Sequence, residues 1–342
     1  MSFQNGKLQQ VDLTVVQESY KQTATPAAYD GLPKMMIPSE HDGVKSVKYK
    51  VANLATSLVR VDLPDWRPGM APPAARDLEY SEIVISAKGV HSIPTTVAVN
   101  ARREHKIREL NASGPLHMDQ VRRAFERRLN THLKNSTTYN SKAFAGAGTL
   151  AAFGNDNVPY KDIEDEIRGN KLRIYSGFTG LGLEAIIDED LLRVLAGYEE
   201  YNHMLTSGNA TGRLPKAIDL DEMAEIFARK HGLAAVHRVT SIYDSAEAGQ
   251  TSSPVRIFGG LLWIGVVDRR FGNSMELDGG SGDQQGMAGG LAVVEAVTPE
   301  LRTWTEPGPA VEYTGAWGQL DFTSPSYEAE SIKMGSFFTN TL

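Results

Sequence analysis

The amino-acid sequence predicts an α+β protein in which strand-like and helix-like segments follow one another in an uneven order. Strand patterns at residues 44–61 and 80–87 precede a helical stretch, in which Val121, Phe125 and Leu129 recur every fourth residue. A mixture of helix and strand patterns then fills the middle of the chain, and strand-like runs return toward the C-terminus. Helices and strands are therefore expected in separate units rather than in regular alternation.

Composition describes a chain that can bury a sizeable core without covalent support. Its 342 residues are 41% hydrophobic and 23% charged, which suits one large or two ordinary domains. The absence of cysteine excludes disulfides, a thiolate nucleophile and Cys-based zinc sites. No apolar run approaches the ~20 residues that a membrane-spanning helix needs, and residues 1–20 show no export signal. We expect no membrane partner and a protein that stays in the cytoplasm where it is made.

Charge is unevenly distributed along the chain. The formal net charge is -7, yet residues 101–134 carry nine basic and four acidic side chains. This segment is therefore +5, and the remainder of the chain is -12. Two interpretations stay open: a solvated helix face, or a surface that faces packaged polyanion or acidic neighbouring subunits. The candidate residues for such contacts are Arg122, Arg123, Arg127 and Arg128.

Residues 1–43 are predicted to form an extended N-terminal arm. Turn-forming pairs interrupt every run before a helix or strand can lengthen, as at Thr25-Pro26, Ile37-Pro38 and Asp42-Gly43. An arm of this kind buries little against its own domain. We expect a partner outside the chain to hold it in place.

Residues 44–92 are predicted to form an extended hairpin loop. Its two strand-like runs flank a connection at 63–73 that is too rich in proline for regular structure. The connection and its flanks carry apolar and basic side chains that have little local core to enter. Inter-subunit contacts are therefore expected from Trp66, Met70, Arg67 and Arg76.

A helical region is predicted after Pro94, and it contains an amphipathic helix at 116–134. The apolar stripe of that helix consists of Val121, Phe125, Leu129 and Leu133. Gly114-Pro115 is expected to interrupt the helical region, because proline lacks the N–H group that the helix ladder uses. Small and polar residues at 135–158 then predict a loop that separates two structural units.

Helices and strands alternate in the next part of the chain. One helix is predicted after Pro159 from the spacing of Ile163, Ile167 and Ile174. Two further helices have candidate caps at Asp188 or Asp190, at Asp219 or Asp221, and at Gly232. The strand-like runs between and after these helices are Leu183–Ile187, Ala234–Ile242 and Val255–Val267.

The C-terminal part begins with a glycine-rich stretch at 278–290, which predicts a flexible loop. Strand-like runs follow from Leu291 and are broken at Pro307-Gly308-Pro309. The final segment, from Ser331 to Leu342, has the pattern of an edge strand or a docked tail. These runs predict that the chain ends in a sheet.

Motifs of catalytic or cofactor chemistry are missing from the sequence. Gly180 to Ala185 matches the G-x-G-x-x-A dinucleotide fingerprint, but a predicted helix precedes it and a strand follows, which reverses the required order. Asp278 and Asp283 lack the acidic spacing and closing glutamate of a calcium loop, and the histidines form no H-E-x-x-H pair. We expect no enzyme activity, no catalytic residue, no metal site and no cofactor.

Short patterns follow one another in a recognisable order between Pro159 and Gly272. They are Pro159–Ile163, Gly177–Gly180, Glu184–Ile187, Leu191–Leu195, Leu220–Gly232, Val236–Tyr243, Leu261–Ile264 and Asp268–Gly272. This order resembles the major capsid proteins of tailed bacteriophages, which have the Hong Kong 97-type fold that encapsulin shells also use. The patterns span about a third of the chain, and its outer parts match the family by architecture.

The resemblance implies a division of the chain and a structural function. The implied parts are an N-terminal arm at 1–43, an extended loop at 44–92, a peripheral domain at 93–158 and 291–342, and an axial domain at 159–290. Proteins of this family assemble as hexamers and pentamers into the icosahedral head, where they meet packaged double-stranded DNA by non-specific contact. The resemblance also implies separate scaffolding, portal and decoration proteins, assembly in the host cytoplasm and a final location in the virion.

Three other functions remain as alternatives to a phage capsid protein. They are an encapsulin-type nanocompartment shell, a tail or decoration protein, and an α/β enzyme that uses the Gly180 loop. Packaged nucleic acid or enclosed cargo protein would separate the two kinds of shell, and nucleotide binding would favour the enzyme. Lysine–asparagine cross-links, which join subunits in some capsids, are not expected at the hairpin, because residues 55–80 contain no lysine.

Overall fold

A computed structural model supplies the architecture of the chain. It describes residues 13–22, 24, 26–36, 46–52, 80–86, 88–98, 102–146, 148–151, 158–179, 182–201, 219–245, 250–267, 284–286, 290–305, 311–323, 333–339 and 341–342. Three predicted features lie outside these residues: the hairpin connection at 63–73, the loop at Asp278 and Asp283, and the break at 307–309.

Most of the described helices lie in the middle of the chain, between a run of five strands and a run of eight. The helices are α1 (13–22), α2 (Arg103–Leu133), α3 (Pro159–Gly169), α4 (Leu172–Thr179), α5 (Glu189–Ala196) and α6 (Leu220–His231). The strands are β1 (Lys34–Met36), β2 (Ser46–Ala52), β3 (Tyr80–Ser86), β4 (Lys88–His91), β5 (Thr95–Ala98), β6 (Asn140–Ala143), β7 (Leu183–Asp188), β8 (Ala235–Val239), β9 (Ile242–Asp244), β10 (Pro254–Arg256), β11 (Leu262–Val266), β12 (Gln284–Gly286), β13 (Ala292–Thr305), β14 (Val311–Thr323) and β15 (Gly335–Thr339).

The first sheet is built on two long antiparallel strands, β13 and β14. Its order is β1-β13-β14-β4, and β5 pairs with another part of β14. The register of β13 against β14 shifts between Glu295 and Glu300, where Pro299 has no N–H to donate to the ladder. The strands predicted after Leu291 are therefore confirmed.

The apolar stripe of α2 packs on this sheet, as its spacing predicted. Val121, Phe125, Leu129 and Leu133 are all fully buried. A methyl group at Gly318 of β14 would lie 3.2 Å from the Phe125 ring, so the missing side chain lets helix and sheet approach closely. This contact forms the centre of one hydrophobic core.

The predicted interruption of the helical region at Gly114-Pro115 is wrong, because α2 runs through both residues. Proline in a helix interior costs about 3 kcal/mol, and packing on both sides of the turn can offset this cost. Leu110 and Met118 are buried on either side of it. A Cβ at Gly114 would lie 2.8 Å from Val16, so the glycine allows α1 to cross close to α2.

The expectation that the N-terminal arm buries little against its own domain is also wrong for the described residues. Residues 13–22 are helical, and Leu13 and Val16 are buried. Further along the arm, Tyr29 inserts between α2 and β14, with its ring edge-on to Phe125 at 6.1 Å and to Phe322 at 6.4 Å. The turn-forming residues shape the path of the arm, and its apolar residues enter the core.

The second sheet has the order β6-β15-β11-β7-β8. Two expectations are corrected here: residues 140–143, which were predicted as loop, form β6, and β15 lies between two strands instead of at an edge. β11 and β15 meet around the buried Trp263, and the absence of side chains at Gly265 and Gly335 leaves room for its ring. Alternation alone cannot separate an edge strand from an inner one.

Helices α3 to α6 flank the second sheet, and one sequence prediction fails among them. A single helix carrying Ile163, Ile167 and Ile174 was expected, but α3 ends at Gly169 and a second helix, α4, begins at Leu172. Lys171 adopts a left-handed backbone there (φ 57), and Ile174 is 63% exposed. The chain direction changes at the break, so the later isoleucine leaves the apolar face.

The predicted caps of α6 are confirmed, whereas at α5 only the position of the N-cap residue agrees with the prediction. Asp188 is the N-cap residue of α5, although its side chain makes no capping hydrogen bond. The Asp219 carboxylate accepts a hydrogen bond of 3.0 Å from the backbone N–H of Asp221 at the start of α6. Gly232 ends α6 in the left-handed region (φ 62), which glycine adopts without strain.

The predicted hairpin strands are confirmed as the antiparallel pair β2 and β3, in register from Ser46 opposite Ser86 to Ala52 opposite Tyr80. β12 pairs in parallel with β2, so part of the stretch predicted as a flexible loop is a strand. The three strands form a separate sheet. The domain boundaries stay a prediction, and both β6 and β15 pair into the sheet that also contains β7, β8 and β11 of residues 159–290.

Truncation of Phe125 tests the central contact between helix and sheet. We expect Phe125→Ala to lower the free energy of unfolding by about 3–5 kcal/mol, because it leaves a cavity between α2 and β14. Leu116→Ala is the control on the same helix, since Leu116 is 64% exposed, and it is expected to cost less than about 0.5 kcal/mol. Urea unfolding followed by tryptophan fluorescence measures both variants. Equal losses would contradict the packing described above.

Candidate functional site

The residues predicted to contact other subunits are only partly covered by the structure. Trp66, Arg67, Met70 and Arg76 lie outside the described residues, so their role stays a prediction. The strands on either side of them, β2 and β3, are described and form the base of the hairpin. The candidate arginines of α2, Arg122, Arg123, Arg127 and Arg128, lie within the described residues.

Arg128 joins α2 to the first sheet by a two-pronged ion pair. Its Nε and Nη2 donate to the two carboxylate oxygens of Asp321 on β14, at 3.0 and 2.9 Å. Both side chains are partly buried, and the planar guanidinium matches the carboxylate in shape. Binding a phosphate with Arg128 would require this pair to break, so its described role is to hold the helix on the sheet.

The other three arginines also have partners within their own chain. Arg122 donates to the Tyr20 hydroxyl at 3.0 Å, Arg123 pairs with Asp119 one turn earlier at 2.6 Å, and Arg127 lies 4.7 Å from the centre of the Tyr243 ring. The side chain of Arg123 is more exposed than that of Arg128, and Arg127 is exposed. Contact with DNA or with a neighbouring subunit stays a prediction, and these two residues are the better placed for it.

A buried acid–histidine–hydroxyl chain lies between α3 and α6. His231 Nδ1 is 2.9 Å from Glu164 Oε1, and His231 Nε2 is 2.8 Å from the Tyr201 hydroxyl. Arg173 donates to both oxygens of Glu164 at 2.7 and 2.9 Å. Burial lowers the pKa of His231, so the neutral ring donates to Glu164 and accepts from Tyr201.

The hydrogen-bonded cluster of Glu164, His231 and Tyr201 has a structural role. His231 and Tyr201 are fully buried, and the ring of His231 stacks on Tyr160 and packs against Phe227. The side-chain polar atoms of Glu164, His231 and Tyr201 all have hydrogen-bond partners among the described residues. Sequence reasoning missed the cluster because its members come from separate elements and share no motif.

Gly180 and Leu181 of the fingerprint lie outside the described residues, but the elements on either side of them are described. α4 precedes it and β7 follows, so no helix N-terminus opens after the glycines. A Cβ at Gly182 would lie only 2.3 Å from that of Ala234. Gly182 therefore allows the start of β7 to approach the segment before β8, and the motif has a packing explanation.

Comparison with known proteins shows the fold. No family model and no curated protein matches the chain. A phage-related protein from Bordetella bronchiseptica RB50 matches with a TM-score of 0.57 at 10% identity, over 96% of each chain. A virus-like particle protein from Pyrococcus furiosus has a TM-score of 0.49 at 9% identity, over 96% of this chain and 98% of that one. The mature capsid of bacteriophage PhiM1 has 0.48 at 11% identity, over 94% and 89%.

The chain has the mixed helix and sheet fold of the Hong Kong 97 type, so the predicted fold class is confirmed. None of the helices in the described part of the chain combines the length and apolar character that a membrane span requires. At 10% identity the likeness concerns the path of the backbone.

Removal of the guanidinium of Arg128 tests its structural role. We expect Arg128→Gln to cost about 1–3 kcal/mol, because the partly buried Asp321 loses a charged hydrogen-bond partner. Arg123→Gln is the matched control, and loss of its exposed pair within one helix turn should cost less than about 0.5 kcal/mol. Chemical unfolding of the full chain distinguishes the two. A larger loss for Arg123→Gln would overturn the assignment.

Acidification should weaken the fold through His132. Burial against Tyr139 and Phe322 lowers the pKa of His132 to about 4, whereas the unfolded chain has a value near 6.5. Between these values the unfolded state binds a proton that the folded state does not, so stability is complete above about pH 6.5 and falls toward pH 4. The full loss is about 3 kcal/mol, because each unit of difference between the two pKa values contributes about 1.4 kcal/mol. His132→Phe should flatten this part of the unfolding profile, and a variant at the exposed His105 should leave it unchanged.

Proposed function

We propose that the chain is a major capsid protein of a tailed bacteriophage, a structural protein that assembles with itself into the icosahedral head enclosing double-stranded DNA. The observation that carries this proposal is the Hong Kong 97-type fold, which extends over nearly the whole chain and is shared with a phage-related protein. The resemblance of the sequence between Pro159 and Gly272 to such capsid proteins supports it independently of the backbone comparison.

The arrangement of the parts suits a subunit that is completed by its neighbours. The hairpin strands β2 and β3 belong to a sheet of their own, apart from the two larger sheets. Elements that reach another subunit bury area that one chain alone cannot bury, and symmetry repeats each contact many times. The described surface also exposes Ile93 (77%) and Leu116 (64%). In this proposal the hairpin at 44–92 contacts neighbours, and residues 159–290 form the axial domain.

The remaining expectations follow from the same assignment. In this proposal the protein acts without catalysis. Its partners are further copies of itself as hexamers and pentamers, separate scaffolding, portal and decoration proteins, and DNA held by non-specific contacts. Assembly takes place in the host cytoplasm and the product is the virion. Arg123 and Arg127 are the proposed contacts with DNA or with acidic residues of adjacent subunits.

Assembly of the purified protein tests the proposal directly. We expect the full chain, expressed with a scaffolding partner where one is needed, to sediment as closed particles of uniform diameter in negative-stain images. Nucleic acid inside particles formed during infection would support the phage head, and enclosed enzyme cargo would instead show an encapsulin-type shell. A protein that stays monomeric under all these conditions would refute both kinds of shell.

A hairpin variant separates assembly from folding. We expect Trp66→Asp to prevent or slow particle formation, because a charge at a buried contact between subunits would lose its solvation. The variant should keep the unfolding midpoint of the wild-type subunit if Trp66 contacts a neighbour and not its own chain. Trp304→Asp, which alters a partly exposed residue of the first sheet, serves as the matched control. Normal particles from Trp66→Asp would contradict the predicted role of the hairpin.

A further inference from the structure

The first sheet has one face that α2 does not cover. Side chains alternate between the two faces along a strand, and Leu301 of β13 and Ala316 of β14 belong to the core that contains Phe125 of α2. The neighbouring side chains of these strands, and their partner on β4, therefore point away from α2. We call this surface the aromatic face, and it consists of His91, Arg302, Trp304, Tyr313 and Trp317.

Two pairs of stacked rings lie on the aromatic face. Trp304 is the register partner of Tyr313, and their ring centres are 5.8 Å apart at an interplanar angle of 12°. Trp317 and its register partner His91 have ring centres 5.7 Å apart at 28°. Tyr313 and Trp317 are four residues apart on one strand, which separates the two pairs by about 13 Å. The rings therefore form a row that is longer than one six-membered ring.

Arg302 lies between the two pairs of rings. Its register partner is Gly315, which lies between Tyr313 and Trp317 on β14. The guanidinium carbon of Arg302 is 3.9 Å from the centre of the Trp317 ring, and the guanidinium pairs with Glu300 at 2.5 Å. The side chains of Arg302 and Glu300 are 51% and 39% exposed. This pair adds hydrogen-bond donors and acceptors to the middle of the row.

Two glycines explain part of this arrangement. A Cβ at Gly315 would lie 3.3 Å from the Trp304 ring, and a Cβ at Gly89 would lie 3.3 Å from Nε1 of Trp317. An aromatic ring beside a glycine fills the space that a missing side chain leaves on a sheet. This packing accounts for the side of each indole that meets the sheet. It leaves the outer side unexplained, since Trp304 is 38% exposed and Tyr313 and Trp317 are partly exposed.

The chemistry of the aromatic face fits a ligand that has flat apolar surfaces and a polar rim. The face of an aromatic ring carries partial negative charge, so it attracts the C–H groups that a sugar ring presents on its flat side. The hydroxyl groups at the rim of a sugar can hydrogen-bond to Arg302 and Glu300, and to the exposed Thr96 of β5, which is the register partner of Tyr313. Because the rings form a row and not a closed pocket, the matching ligand is an extended chain of sugars.

Charge complementarity favours a neutral ligand. The formally charged side chains here, Arg302 and Glu300, are paired with each other. Single-stranded nucleic acid also stacks on aromatic rings, but the grooves that bind it carry an excess of positive charge along the phosphates. The described residues of the aromatic face provide no such excess. A neutral sugar chain is therefore the better match.

We propose that the aromatic face binds a neutral, extended oligosaccharide, whose sugar rings stack on the pair of Trp304 and Tyr313 and on the pair of Trp317 and His91. Arg302 and Glu300 bind its hydroxyl groups between the two pairs. The surface is separate from the hairpin and from the arginines of α2. Sugar binding by the purified chain therefore goes beyond the proposed capsid function and does not depend on it.

Titration of the full-length chain with defined sugars tests the proposal. The probes are cellohexaose and chitohexaose, two neutral and extended chains, and single-stranded oligothymidine represents nucleic acid. We expect calorimetry to detect binding of at least one of the sugars, and saturation-transfer NMR to show that its ring C–H protons contact the protein. Failure of both sugars to bind, or binding of oligothymidine alone, would overturn the proposal.

Substitution of Trp304 locates the site. We expect Trp304→Ala to weaken binding of the sugar by about tenfold or more, which corresponds to about 1.4 kcal/mol, and Trp304→Phe to keep part of the affinity because it keeps a ring. Ile242→Ala, which removes a 48% exposed apolar side chain of β9, is the control and should bind as the wild type does. Unchanged binding by Trp304→Ala would show that the sugar binds elsewhere and that the assignment is wrong.

A second variant covers the case in which Trp304→Ala does not fold. His91 is exposed on β4, at the end of the strand order. Loss of its ring in His91→Ala should weaken sugar binding about two- to tenfold while the urea midpoint of unfolding stays that of the wild type. Wild-type affinity in this variant would count against the row of rings as the site. Particle formation is not needed for these measurements, so a failure of the sugar site and a failure of the proposed function give different results.

Discussion

The burial of one face of α2 against β13 and β14 is the contact on which the rest of the structure depends. Phe125 and Leu129 are fully buried there, and Gly318 lets the sheet come close to the helix. The arm adds Tyr29 to the same core, and α1 crosses at Gly114. Because these segments come from opposite ends of the chain, none of them can bury its apolar residues before the others are in place.

Polar contacts then fix the relative positions of elements that the apolar core has brought together. Arg128 ties α2 to Asp321, and Glu164, His231 and Tyr201 tie α3 to α6. These groups are buried or half-buried, so a broken pair leaves an unsatisfied charge or donor rather than a solvated one. Their contribution is to specify one arrangement, while the apolar contacts supply most of the driving force.

The arrangement of the sheets is compatible with the proposed function as a shell subunit. Two hydrophobic cores each draw residues from both large sheets, and the sheet of β2, β3 and β12 is paired with neither of these sheets. Under that proposal the hairpin would contact neighbours while the two cores stay intact, because local regions of a protein can differ in stability. Glu126 connects the arm to α2, because its carboxylate accepts a hydrogen bond from the backbone N–H of Ala28.

The sequence by itself determined the elements whose pattern is local: the apolar stripe of α2, the hairpin strands, the caps of α6 at Asp219 and Gly232, and the absence of a strand–loop–helix context at Gly180. Only the tertiary structure decided what depends on partners far away in the chain. The helix continues through Pro115, β15 is an inner strand, and the arginines of α2 find partners on the arm and on β14, because contacts with distant residues outweigh local propensities of about 1–3 kcal/mol.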